Sequence, residues 1–94
     1  MMDYRIIEAC VSVDSYQIQF NKRIKLDLKK AADSIEKIGQ VLGETKVVLF
    51  SKIDGFGVSI YEDGRIIMKN VDKDESEKLA KKIVDTLESA GAFL

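Results

Sequence analysis

The dipeptide Asp63-Gly64 stands between two β-rich runs, 57–62 and 65–71, and no other feature limits the fold as strongly. A two-residue type I′ turn needs positive φ at both central residues, and Asp-Gly is one of the dipeptides that supplies it. The spacing therefore predicts a strand, a two-residue turn and a returning strand. In that register Glu62 faces Arg65, Tyr61 faces Ile66, Ile60 faces Ile67 and Ser59 faces Met68. Val58, Ile60 and Ile67 then make the purer aliphatic side and belong to the core. Tyr61, Ile66 and Met68 fall on the opposite side, which is expected to be open and to form an interface. The register decides this assignment, because a slip of one residue exchanges the two sides.

The neighbouring segments extend the pattern. Residues 46–53 predict another strand, with Val47 and Leu49 pointing one way and Val48 and Phe50 the other, and Asp54-Gly55 a further turn. Residues 4–13 predict a first strand, placing Ile7, Ala9, Val11 and Val13 on one face and Glu8, Cys10 and Ser12 on the other. Asp14-Ser15 reads as a turn, and Tyr16, Ile18 and Phe20 alternate with Gln17 and Gln19 in a second strand. Asp27 can cap a helix whose stripe is Leu28, Ala31, Ala32, Ile35, Ile38 and Leu42. Gly39 or Gly43 ends it, and Val41 with Leu42 favours the neighbourhood of Gly43. Asp72 or Asp74, with Glu75 or Glu77, caps a last helix carrying Leu79, Ala80, Ile83, Val84 and Leu87, with Gly91 as its stop. The order β-β-α-β-β-β-α predicts an α+β fold: an antiparallel sheet of four or five strands with two helices on one face.

The 94 residues suit one domain, 1–94, and the 46% apolar content suits a globular one. Fifteen basic residues nearly balance 16 acidic ones, which argues against binding nucleic acid by overall charge and leaves room only for a local patch. Cys10 is the one cysteine and there is no histidine, so an internal disulfide, a zinc site and an iron–sulfur cluster are not expected. Neither a signal peptide nor a run of about 20 apolar residues is present, so the chain is expected in the cytoplasm and not in a membrane. The lack of Pro, Trp and His beside abundant Lys, Glu, Asp and Ile leans towards a thermophile.

The sites the sequence offers are few. Asp72, Asp74 and Ser76 open like a calcium loop, but the sixth position is Glu77 where glycine is needed, and the twelfth is Ile83. Lys22, Arg23, Lys25, Lys29 and Lys30 form the densest basic cluster and are candidate phosphate contacts, against the simpler reading of a solvated loop and helix face. Gly55-Phe56-Gly57 opens no helix and reads as turn chemistry. Cys10 lacks any histidine to activate it. No catalytic residue, cofactor site or metal site is expected.

The order of elements resembles one repeat of the TATA-box-binding protein fold. The run Val58-Ser59-Ile60-Tyr61-Glu62-Asp63-Gly64-Arg65-Ile66-Ile67-Met68-Lys69 and the acid-capped helix after it resemble the accessory domain that ends ThiF-type adenylyltransferases and some small archaeal metal-cluster proteins. The nucleotide-binding region of those enzymes and the cluster cysteines are missing here. Three functional expectations follow. The first is a non-enzymatic interaction module that forms a homodimer, or pairs with another protein, through its open sheet face. The second, implied by the resemblance, is a nucleic-acid-binding half-saddle acting as a dimer. The third is an accessory subunit in sulfur-carrier or cofactor biosynthesis. A basic, aromatic open face favours the second; an apolar, nearly neutral one favours the first.

Overall fold

A computed structural model of the chain describes residues 3–9 and 14–94. The described elements run β1 (Tyr4–Glu8), β2 (Ser15–Phe20), α1 (Leu28–Ile35), β3 (Gly39–Glu44), β4 (Val48–Ile53), β5 (Phe56–Tyr61), β6 (Ile66–Lys69) and α2 (Lys73–Ser89). The strands form one antiparallel sheet ordered β1-β2-β6-β5-β4-β3. The α+β class is as expected, with six strands in place of four or five.

Both helices cover the same side of the sheet. Ile18, Leu49, Ile53, Val58, Ile60, Ile66 and Met68 project from that side. They join Leu28, Ala31, Ala32 and Ile35 of α1 and Leu79, Ala80, Ile83, Val84 and Leu87 of α2 in one buried cluster. α1 lies over β3 and β4, α2 lies over β1 and β2, and the helices touch each other. Each helix starts where its cap dictates. Asp27 accepts from the backbone N–H groups of Lys29 and Lys30 at 3.0 and 3.2 Å. Asp72 and Glu75 form a reciprocal capping box. Gly91, at φ 68°, follows the C-cap of α2.

The first helix is shorter than its apolar stripe. It ends at Ile35, and bonds from Lys37 N to Ser34 O and from Ile38 N to Ile35 O close its last turn. Residues 39–42, which a helix stop near Gly43 would leave in the helix, belong instead to edge strand β3. Gly39 is a close approach, not a helix stop. A Cβ there would collide with the Lys52 carbonyl oxygen on β4. The pairing shifts between Val41 and Gly43, and Leu42, the unpaired residue, is exposed. The first strand also differs from expectation: it ends at Glu8, with Ile6 on the covered side and Ile7 on the other. Cys10, Val11, Ser12 and Val13 lie outside the described residues.

The two Asp-Gly turns behave differently. Asp54 and Gly55 both have positive φ, 54° and 87°, and join Ile53 to Phe56 as a two-residue turn. At the second turn only Gly64 has positive φ, 97°. Gly64 N donates to Tyr61 O at 3.0 Å, Tyr61 N donates to Arg65 O at 2.8 Å, and the Asp63 carboxylate accepts from Arg65 N. These bonds define a three-residue loop, Glu62-Asp63-Gly64, with glycine at the left-handed position. Glu62 is drawn out of the β5–β6 ladder because its N–H donates to Val47 O and its carbonyl accepts from Leu26 N. The register therefore moves by one: Ile60 faces Ile66 and Val58 faces Met68. Ile66 and Met68, expected on the open side, are both 0% exposed in the core, and Ile67 takes the open side instead.

Two predictions follow from this geometry. Ile66→Ala is expected to cost about 2–5 kcal/mol, as for other buried aliphatic truncations, with Ile67→Ala costing far less; urea denaturation of both variants checks the register. Gly39→Ala forces β3 away from β4 and is expected to cost about 1–3 kcal/mol by the same measurement.

Candidate functional site

The sheet side away from the helices is not covered by either helix. Cross-strand pairing fixes what stands on it. One row runs across all six strands through Gly43, Phe50, Ser59, Ile67, Gln17 and Ile7. A second runs through Gln40, Lys52, Gly57, Lys69 and Ser15. On the other flank stand Val48 and Tyr61, paired across β4 and β5, and Gln19 and Arg5, paired across β2 and β1. Arg65 lies between these pairs, its guanidinium carbon 4.5 Å from the centre of the Tyr61 ring. Arg5 Nε donates to Gln19 Oε1 at 2.9 Å.

The charges on this face have one sign. Arg5, Lys52 and Lys69 are its charged strand residues, and no carboxylate occupies an open-face position within the six strands. The strand acids, Glu8 and Glu44, pair with Tyr16 and Leu49 and so belong to the covered side. At the margins, Asp3 precedes β1 and Asp63 is tied to Arg65 at 3.0 Å. The remaining carboxylates sit on the helices and in turns and loops.

Phe50 stands in a clearing. Its cross-strand neighbours are Gly43 and Ser59, both small, which leaves the ring 41% exposed in the middle of β4. Leu42 and Val47, at 59% and 61%, belong to the same β3–β4 hairpin.

At the Arg65 margin the loop 21–26 passes over the β5–β6 hairpin tip. Ile24 packs on Gly64 so closely that a Cβ on that glycine would lie 2.7 Å from Ile24 Cγ1. The loop and the tip flank an open-sided cavity of about 400 Å³, with Gln17, Gln19, Asn21, Lys22, Arg23 and Arg65 among its lining residues, and Asp63 beside them. Burial raises the Asp63 pKa, but the side-chain and backbone hydrogen bonds from Arg65 and its charge outweigh that and hold the carboxyl below its ordinary value.

The structure divides the basic cluster seen in the sequence. Lys22 and Arg23 line the cavity beside the open face. Lys25 pairs through its carbonyl with Leu94 N near the C-terminus. Lys29 and Lys30 are exposed in the first turn of α1. Of the expected interface residues, Tyr61 alone stands on the open side. Gly55 is the second residue of the β4–β5 turn, and Asp72 is occupied as a helix cap. Among the described residues no three of His, Cys, Asp and Glu come together as a metal site. No helix is long and apolar enough to cross a membrane. Arg5, Lys52, Phe50, Arg65 and Lys69 were not singled out from the sequence; the signal was the two-residue spacing that puts them on one side. No protein-family model, curated protein or solved structure matches the chain.

The Asp63–Arg65 contact makes its own prediction. Arg65→Gln is expected to raise the Asp63 pKa towards the ordinary carboxylate value, read by NMR titration of the side-chain carboxyl. The sign for stability follows: a depressed folded-state pKa gives a contribution that is present above the unfolded value and is lost as pH falls through the folded one. Arg65→Gln should remove that part of the acid sensitivity.

Proposed function

We propose that this chain is a binding module that holds single-stranded nucleic acid across the open face of its sheet. The observation that carries the reading is the one-signed face: Arg5, Lys52 and Lys69 flank a row centred on Phe50 and Ile67, with no carboxylate among the open-face strand residues. Bases stack on exposed aromatic rings and on guanidinium planes, and phosphates seek the cations around them. Phe50 offers the ring, and Arg65 lying on Tyr61 offers a plane. Gln17, Gln19 and Gln40 add amides that can meet base edges. Six strands spaced by about 4.8 Å give a platform about 24 Å across.

The same charge pattern works against a face-to-face homodimer. Two copies stacked on this side would bring Arg5, Lys52 and Lys69 of one against those of the other, and like-charge juxtaposition is costly. The near balance of charge along the sequence gave no hint of this, because the acids are sorted away from the open side by the fold. A second reading has one observation in its favour: Leu42, Val47 and Phe50, exposed on one hairpin, suit contact with a protein.

Fluorescence anisotropy with a labelled single-stranded oligonucleotide tests the proposal. Wild type is expected to bind, with affinity falling as salt rises. Phe50→Ala is expected to weaken binding about five- to a hundred-fold, the loss of one stacked base. Absence of binding at low salt, or an unchanged Phe50→Ala, contradicts the reading. Dimerisation in sedimentation equilibrium without oligonucleotide binding would favour the protein-contact alternative.

A further inference from the structure

The open face continues past its last strand residues into the cavity beneath the loop 21–24. We infer that this cavity receives a backbone phosphate of the bound strand and so fixes where the strand meets the edge of the platform, an assignment that rests on the open-face reading for its ligand. Three observations point to an anion there. Lys22, Arg23 and Arg65 line the cavity with Gln17, Gln19 and Asn21, so cations and amide donors border one open-sided space. The only carboxylate in that lining, Asp63, is held ionised by Arg65 and shares its charge with that guanidinium. Asn21, Lys22 and Arg23 are all exposed on the loop, so their amide and cationic side chains are accessible to a ligand there.

The loop is also fixed in place. Leu26 N donates to Glu62 O at 2.9 Å below it, and Asn21 N donates to Asp3 O at 3.1 Å above it. Between these bonds Ile24 seats on the bare Cα of Gly64, so the loop is registered against the hairpin tip. A volume of about 400 Å³ takes a phosphate with several waters, each water needing about 30 Å³. Gln17 and Gln19 line the cavity and also stand on the open face, so the two regions are continuous. Lys29 and Lys30, equally basic in the sequence, lie on α1 and take no part.

Inorganic phosphate titrated into the full chain at constant ionic strength, followed through backbone amide shifts, reads the cavity by itself. Saturable shifts are expected at Lys22, Arg23, Ile24, Gly64 and Arg65. They should vanish in Lys22→Ala/Arg23→Ala and persist in Lys29→Ala/Lys30→Ala. Shifts absent from those amides, or equal on α1, overturn the site. In the oligonucleotide arm, Lys22→Ala/Arg23→Ala is expected to reduce the slope of log K against log salt by about one, with the α1 pair unchanged. An unchanged slope in the first variant would mean that the cavity takes free phosphate only, and overturns its assignment to the strand. Failure of the open-face reading shows separately, as no oligonucleotide binding by wild type.

Discussion

The left-handed residue at Gly64 is the constraint on which the rest of this structure depends. Its φ of 97° closes a three-residue loop, and the loop sets which residue of β6 meets which residue of β5. Because side chains alternate along a strand, that single choice sends Ile66 and Met68 under the helices and Ile67 to the other side. The tip is held from outside as well. Glu62 is bonded to Val47 and Leu26, and Ile24 covers the glycine where any side chain would collide. A two-residue turn here would forfeit those bonds and exchange two buried side chains, Ile66 and Met68, for one, Ile67.

The register has a chemical consequence. With Ile66 and Met68 withdrawn, the larger apolar groups left on the open side are Ile7, Val48, Phe50, Tyr61 and Ile67. Phe50, Ile67 and Ile7 are separated by Ser59 and Gln17 along their row. What remains in excess is positive charge. A chain with a formal net charge of −1 thus presents one basic face, because its acids stand on helices, in turns and at the covered side of the edge strands. Edge strand β3 is interrupted at Leu42, which weakens it as a template for pairing with another sheet. Surface chemistry favours a polyanionic ligand over a second copy stacked on the sheet, and edge geometry disfavours pairing through β3.

Much of the fold was legible because its signals are local. Asp27 and Asp72 cap the helices they precede, Tyr16, Ile18 and Phe20 alternate as a strand, and Asp54-Gly55 turns as its dipeptide predicts. The sequence misleads where a local pattern fits two structures. Ile35, Ile38 and Leu42 satisfy a helical period, yet Leu42 is the unpaired residue of a strand, and Gly39 is required by the close approach of the Lys52 carbonyl on β4. Asp63-Gly64 fits both a two- and a three-residue hairpin, and distant partners, Val47, Ile24 and Leu26, decide between them. The candidate site was hidden for the same reason. Its residues are scattered from Arg5 to Lys69, and only the strand order brings them side by side.

The most direct measurement is NMR shift mapping of the isotope-labelled chain with an unlabelled single-stranded oligonucleotide. The account predicts changes at Ile7, Gln17, Phe50, Ser59 and Ile67, extending to Arg65, while amides of α1 and α2 stay still. Changes centred on Lys29, Lys30 or α2, or none along the Phe50 row, would contradict it.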